Sequence, residues 1–197
     1  HDNTSGYSLV ITKQKTKPIS ILLNNSKTTT SKLIREFPST SIHNNTFSFA
    51  DAPTDFRRKL LDKSIFIADK QFSETWFSYY RCLKQRNALL KNGSIINIEP
   101  WEKKLADLGK ELTALRIKFF NNTFYELKDL ISKLNKSPST DFLENINISF
   151  YPGWDHDVEL SELFKSNRNK DLRRKSTSEG PHKADIRFLI EGVEAKQ

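Results

Sequence analysis

The chain has 197 residues, enough for one ordinary domain or two small ones, and its 36% hydrophobic content can supply a core. Lys and Arg outnumber Asp and Glu by 32 to 24, giving a formal charge of +8 and a pI near 9.5; this suits a polyanionic partner such as nucleic acid, and equally a solvated lysine-rich surface. The single cysteine, Cys82, excludes an internal disulfide framework and fits a reducing cytoplasm, and no apolar run approaches the length of a bilayer span, so a cytoplasmic protein without a membrane partner is expected.

The first stretch reads as β structure. "YSLVITKQ" and "KPISILLNN" are short β-branched runs on either side of a lysine-rich turn and predict a hairpin. "TTTSKLIREF" predicts a short capped helix ended by Pro38.

From Pro53 the pattern turns helical. "PTDFRRKLLDKSIFIADK" places Pro53 and Asp55 at a helix start, where the missing N–H and the macrodipole favour them. In "QFSETWFSYYRCLKQRNALLKNG", Phe72, Trp76, Tyr79, Leu83 and Leu90 keep helical spacing, and Asn92-Gly93 supplies a C-cap. Arg81, Lys84 and Lys91 share a second face, open to phosphate or to water. The strongest period lies in "WEKKLADLGKELTALRIKFFNNTFYELKDLISKL". There Trp101, Leu105, Leu108, Leu112, Leu115 and Phe119 step by fours and threes, and Leu127, Leu130 and Leu134 resume the seam. This helix and the preceding one predict an antiparallel helical arm; the competing reading is a coiled-coil interaction module that pairs between chains without a DNA role.

"KSPSTDF" reads as a loop, "ENINISFYPGW" as a strand closing in a Pro-Gly turn, and "DVELSELFKSNRNKDLRR" as one further helix with a basic end. "STSEGPHKAD" then makes a Gly-Pro turn into the strand "IRFLI". It is expected to display Thr177, His182 and Lys183 at the sheet's rim.

No catalytic constellation emerges. Cys82 has no histidine near it in sequence and reads as a structural thiol. Asp155, His156, Asp157 and Glu159 suggest capping ahead of a helix more than a metal site. The four histidines lack zinc spacing, and neither a glycine-rich phosphate loop nor a Gly-Lys-Ser/Thr motif occurs. With no methionine and a start at His1, the chain is expected to be a piece of a longer protein.

"FRRKLLD", "LKQRNALLK", "PWEKKLADLGKEL", "SFYPGW" and "TSEGPHKADIRF" occur in the order and rough spacing of the RecF family, which the chain resembles from about residue 33 onward. Two places depart from the family pattern, Pro53-Thr54 ahead of the paired arginines and Asn44-Asn45 further upstream. The resemblance implies an α+β fold, with a mainly helical lobe II carrying the arm and flanking strands from an ABC-type ATPase lobe I. The implied divisions are 1–52 in lobe I, 53–175 in lobe II, and 176–197 leading toward the family's signature motif.

By the same resemblance the whole protein would bind ATP with Mg between two subunits. It would act on duplex DNA beside single-strand gaps and work with RecO, RecR and RecA, while this segment alone would not be an enzyme. Candidate DNA contacts are Arg57, Arg58, Arg81, Lys84 and Arg86, with internal pairing of Arg57 and Arg58 to Asp62 and Asp55 as the alternative. Candidates for the nucleotide-dependent dimer interface are Thr177, Gly180, Pro181, His182, Lys183 and Asp185.

Overall fold

The computed structural model describes residues 6–39, 49, 52–93, 95–134, 146–190 and 193–194. Two compact units divide the chain, 1–42 and 43–197.

In the first unit, β1 (Leu9–Thr12), β2 (Ser20–Leu23) and β3 (Ser26–Thr28) form an antiparallel sheet in that order, with Val10 opposite Leu22 and Ile21 opposite Thr28. The expected hairpin is therefore present, and a third strand extends it. The third strand exists because Asn24 and Asn25 adopt φ of 49° and 62°, the left-handed pair that a two-residue hairpin turn requires and that asparagine tolerates. The expected short capped helix follows, with Thr28 ending the sheet and Thr29 as the cap. Helix α1 (Thr30–Glu36) starts where Thr29 Oγ1 accepts the Lys32 N–H at 3.2 Å, and it stops just before Pro38.

The second unit runs α2 (Thr54–Ala68), α3 (Lys70–Lys91), α4 (Glu99–Leu134), β4 (Ile146–Tyr151), α5 (Leu160–Ser166), α6 (Arg168–Arg174), a 3-10 turn at Pro181–Lys183, β5 (Asp185–Ile190) and β6 (Val193–Glu194). Strand β4 pairs with β5, Ile148 opposite Phe188 and Phe150 opposite Ile186, and β5 pairs with β6; both ladders are antiparallel. The chain is thus α+β, as expected. The loop "KSPSTDF" lies outside the described residues, and none of the described helices is long and apolar enough to cross a membrane.

One residue, Asp69, separates α2 from α3, and its Oδ1 accepts the N–H groups of Gln71 (2.7 Å) and Phe72 (3.3 Å). Helices α3 and α4 are antiparallel: Gln71 Nε2 reaches Glu111 at 3.1 Å near one end, and Cys82 Sγ reaches the Trp101 carbonyl at 3.3 Å near the other. Between them Leu105 and Leu112 are fully buried with Phe72, Tyr79, Leu160 and Phe164. The hairpin is therefore a core element covered by α2 and α5 as well. Its seam is filled within the chain, against the reading as a module that pairs between chains.

The seam does not resume after Phe119 as expected. At about 1.5 Å per residue α4, with 36 residues, outruns α3, with 22, by roughly 20 Å. Leu130 is accordingly 53% exposed. Leu127 instead joins Phe119, Phe120 and Phe124 along an apolar groove against α2, β4 and β5. We expect Leu112→Ala to cost roughly 3 kcal/mol, since the methyls removed leave a cavity in a packed layer. Urea denaturation of both chains measures this, and an unchanged midpoint would place Leu112 outside the core.

The single helix expected over 157–174 is two helices, broken at Asn167 (φ −82°, ψ 0°), whose side-chain amide donates to Glu179 Oε1 at 3.3 Å. Upstream of it, Asp155 Oδ1 accepts the Asp157 N–H at 3.1 Å, so this part of the acidic cluster caps a local turn.

Candidate functional site

The Gly-Pro-His segment lies over a polar layer within the helical core, and its backbone explains the glycines. Gly180 has φ of 127° and donates its N–H to the Gly153 carbonyl at 2.9 Å. Gly153 has φ of 103°, and a Cβ there would stand 2.1 Å from the Gly180 carbonyl oxygen. The Pro152-Gly153 turn and the Gly180-Pro181 turn are thus locked against each other.

Arg86 organises one half of the layer. It is fully buried and donates to Glu102 Oε1 (3.0 and 3.3 Å), Asp171 Oδ2 (2.7 Å), Thr177 Oγ1 (2.8 Å) and the Phe164 carbonyl (3.0 Å). Each partner is held again from outside. Glu102 Oε2 accepts two bonds from Arg168, at 2.6 and 2.9 Å, and Asp171 Oδ1 accepts the Ser178 N–H at 2.9 Å. Thr177 donates both its hydroxyl and its N–H to Asn87 Oδ1, each at 2.8 Å. Helices α3, α4 and α6 and the loop that follows are thereby fixed through one guanidinium.

Arg116 organises the other half. It grips Asp62 with two bonds of 2.8 Å and donates to the Pro181 carbonyl at 2.6 Å, while Trp76 Nε1 donates to the same carboxylate at 2.9 Å. Burial pulls the Arg116 pKa down, but the adjacent Asp62 carboxylate outweighs it and the net shift is upward, so the guanidinium stays charged.

His182 lies between the halves. Its Nε2 is 3.0 Å from the Thr177 carbonyl and its Nδ1 3.0 Å from the Tyr79 hydroxyl. A carbonyl can only accept, so Nε2 carries the proton and Nδ1 accepts from Tyr79. Burial pushes the His182 pKa down to about 4, opposed by the Thr177 bond and assisted by Lys183 and Arg58. Burial also pushes the Tyr79 phenol well above its ordinary value, which keeps it a donor.

The linkage sign follows from this depression. Above pH 6.5 both folded and unfolded states hold a neutral imidazole, whereas between about 6.5 and about 4 only the unfolded chain takes up the proton. Stability should therefore fall on acidification through that window, by up to roughly 3 kcal/mol from this residue. Urea titrations at pH 7 and pH 4.5 test it: His182→Gln should lose part of the pH dependence, and an identical slope in both chains would remove His182 as its source.

The sequence-derived candidates fall in three places. Arg86 is internal, with no surface to offer a phosphate. Arg57 donates to Asp185 at 2.7 and 2.8 Å and to the Ala52 carbonyl at 2.5 Å, and Arg58 pairs with Asp55 and donates to the Ala184 carbonyl at 3.2 Å. Of the two internal pairings considered, Arg58 with Asp55 is present. Arg57 instead takes Asp185 across to β5, because Asp62 is occupied by Arg116. Arg81 and Lys84 are exposed on α3.

Of the turn residues, Thr177, Gly180, Pro181 and Asp185 are buried and His182 is turned inward, so the expected display of Thr177 and His182 at the rim gives way to Lys183 alone as an exposed side chain. Cys82 is buried, and burial raises its thiol pKa, which makes it a poor nucleophile.

Sequence reasoning missed Arg116, Glu102 and Asp171, and it gave Asp62 to the paired arginines of α2 where Arg116 holds it. The signal for two of them was present: Arg116 follows Leu112 by four and Glu102 precedes Leu105 by three, so the apolar period itself places both charges on the inward face of α4.

No family model matches the chain. Its fold is shared with solved structures of RecF. The structure is similar to a solved recombination mediator protein RecF–ATPrS of the RecFOR pathway, with a TM-score of 0.75 and 23% identity over 96% of this chain and 53% of that one. The corresponding RecF–ATP structure gives 0.75 and 22% over 95% and 52%.

The sequence comparison is more specific, and it shows the chain to be RecF-like. It is 36% identical over 163 residues to the DNA replication and repair protein RecF of Shewanella denitrificans, covering 81% of this chain and 43% of that protein. It is 35% identical over 167 residues to RecF of Shewanella amazonensis, covering 84% and 45%. The chain thus spans less than half the length of these curated relatives.

Proposed function

We propose that the chain is the helical-lobe part of a RecF-like recombination mediator, one that binds duplex DNA beside single-strand gaps as an ATP-dependent dimer and works with RecO and RecR toward RecA loading. The observation that supports this best is similarity to RecF over four fifths of the chain, joined to a shared fold. In the Gly-Pro-His turn the polar groups are spent internally and Lys183 alone is exposed. ATP and Mg belong, in this reading, to the whole protein. The chain's own part is mechanical: the Arg86 and Arg116 layer holds the Gly180–Asp185 segment rigid relative to α3 and α4, so that movement at one is felt at the other. Lys183 is the interface residue, and Thr177, Gly180, Pro181, His182 and Asp185 hold it in place.

A chimera tests this. Replacing the matching segment of Shewanella denitrificans RecF by this chain should restore ultraviolet survival to a host lacking RecF. A soluble, folded chimera that leaves the host as sensitive as the deletion would overturn the reading. Within the chimera, Lys183→Ala should leave the unfolding free energy within about 0.5 kcal/mol of the parent. It should nonetheless weaken ATP-induced dimerisation by about 1–3 kcal/mol, measured by sedimentation.

A further inference from the structure

Two groups stand out among the cations of α3, α6 and the cap of α6. Arg86, Arg168 and Lys170 are spent on Glu102, Asp171 and Glu179, whereas no ion pair among the described residues engages Lys84, Lys91, Arg174 or Lys175, and all four are exposed. Their placement follows from the contacts beneath them. Asn87 and Arg86 join α3 to Thr177 and Asp171, and Lys84 and Lys91, three before and four after Asn87, share one strip immediately outside that contact. On α6, Arg174 follows the buried Asp171 by three, and Lys175 ends the helix in the left-handed conformation at φ 55°. Two cations therefore stand on each side of the junction.

Neither side carries an acid to neutralise them. No Asp or Glu occurs from Arg81 to Asn92, nor from Leu172 to Ser178. From Arg81 to Asn92 and from Lys165 to Lys183 no large apolar side chain is exposed, so the surface lacks the hydrophobic centre that a protein interface uses. A single-sign, apolar-free ridge on a rigid ion-paired base matches a phosphate backbone read without regard to sequence.

We infer that the α3–α6 junction, through Lys84, Lys91, Arg174 and Lys175, is a contact surface for the phosphate backbone of duplex DNA. The inference rests on the reading of the chain as part of a DNA-repair protein, and it adds Lys91, Arg174 and Lys175 to the α3 candidates.

The test measures binding of the 197-residue chain to a short fluorescein-labelled duplex by anisotropy across a salt series. Neutralising the four residues together (Lys84→Gln, Lys91→Gln, Arg174→Gln, Lys175→Gln) should lower the slope of log K against log salt by roughly 3–4 and weaken binding at ~0.1 M salt at least about tenfold. The melting temperature should stay unchanged. A control with the same charge loss in the first unit, at Lys13, Lys15, Lys17 and Lys27, should change the slope by less than about 1.

Equal losses in both variants would mean that net charge alone binds DNA, and would overturn the site. Retained duplex binding with lost binding to polyglutamate would assign the ridge to an acidic protein and overturn it as well. If the unaltered chain binds no duplex, the inference fails, while the proposed function is decided separately by survival of the chimera. Binding that persists at full strength only in the four-residue variant's control supports the junction specifically.

Discussion

Replacing Arg86 by Met should destabilise the chain by about 3–5 kcal/mol, the range for removing one partner of a buried ion pair, and should do so although Met fills much of the same volume. The reason is what stays behind. Asp171 is 1% exposed and keeps one N–H bond from Ser178, Glu102 keeps Arg168, and the Phe164 carbonyl loses its Arg86 donor. The cost is therefore mostly that of buried carboxylate charge without its counter-ion, not that of a lost contact.

A second substitution makes the argument checkable. Adding Asp171→Asn removes the orphaned charge, so the double variant should be more stable than the sum of the two single losses, with a coupling of at least about 1 kcal/mol. Urea denaturation of the four proteins gives that coupling directly. Strict additivity would mean that Arg86 acts by packing alone.

The Arg86 network also shows which parts of the chain were legible in the sequence. Amphipathic period placed α3 and α4 and paired them, because Phe72, Tyr79, Leu105 and Leu112 repeat at the spacing that a buried helical face imposes. The same periodicity over-extended the seam to Leu130, since spacing tells which face a residue is on and not whether a partner helix reaches that far.

Charge was harder to read. "LKQRN" offers Lys84 and Arg86 two positions apart, and composition cannot tell that one is exposed while the other is fully buried; only the approach of α4 and α6 decides it. Paired arginines at 57 and 58 posed the same problem. Asp55, three residues before Arg58, was legible, whereas Asp185 and the Ala184 carbonyl lie more than a hundred residues away, across a contact between α2 and β5 that no local pattern encodes. In the Gly-Pro-His turn the backbone was legible, because Gly180 and Pro181 restrict it locally, whereas the inward turn of His182 depends on Tyr79 from another helix.

That turn yields the second large effect. Gly153→Ala should destabilise the chain by roughly 3–5 kcal/mol, from two additive sources. Alanine at φ of 103° is strained by about 1–3 kcal/mol before any neighbour is considered. The new Cβ would also stand 2.1 Å from the Gly180 carbonyl oxygen and 2.7 Å from the Ala184 nitrogen, both backbone atoms that cannot swing aside as a side chain would.

Relief requires the two turns to part, which breaks the 2.9 Å Gly180-to-Gly153 hydrogen bond and draws Pro181 away from Arg116. The damage should consequently spread. Amide exchange in the variant should accelerate across Thr177–Ile186 and at Trp154 while the protection of α1 and the first-unit sheet stays as it was, because those elements belong to the other compact unit. Gly109→Ala is the useful contrast. Its Cβ would meet Leu160 Cδ2 at 2.6 Å and Pro181 Cγ at 3.1 Å, both side-chain atoms, and its helical backbone is unstrained. It should cost less than Gly153→Ala by at least about 1 kcal/mol. Equal costs for the two would show that local crowding, and not the lock between the Pro152-Gly153 and Gly180-Pro181 turns, is what holds the segment.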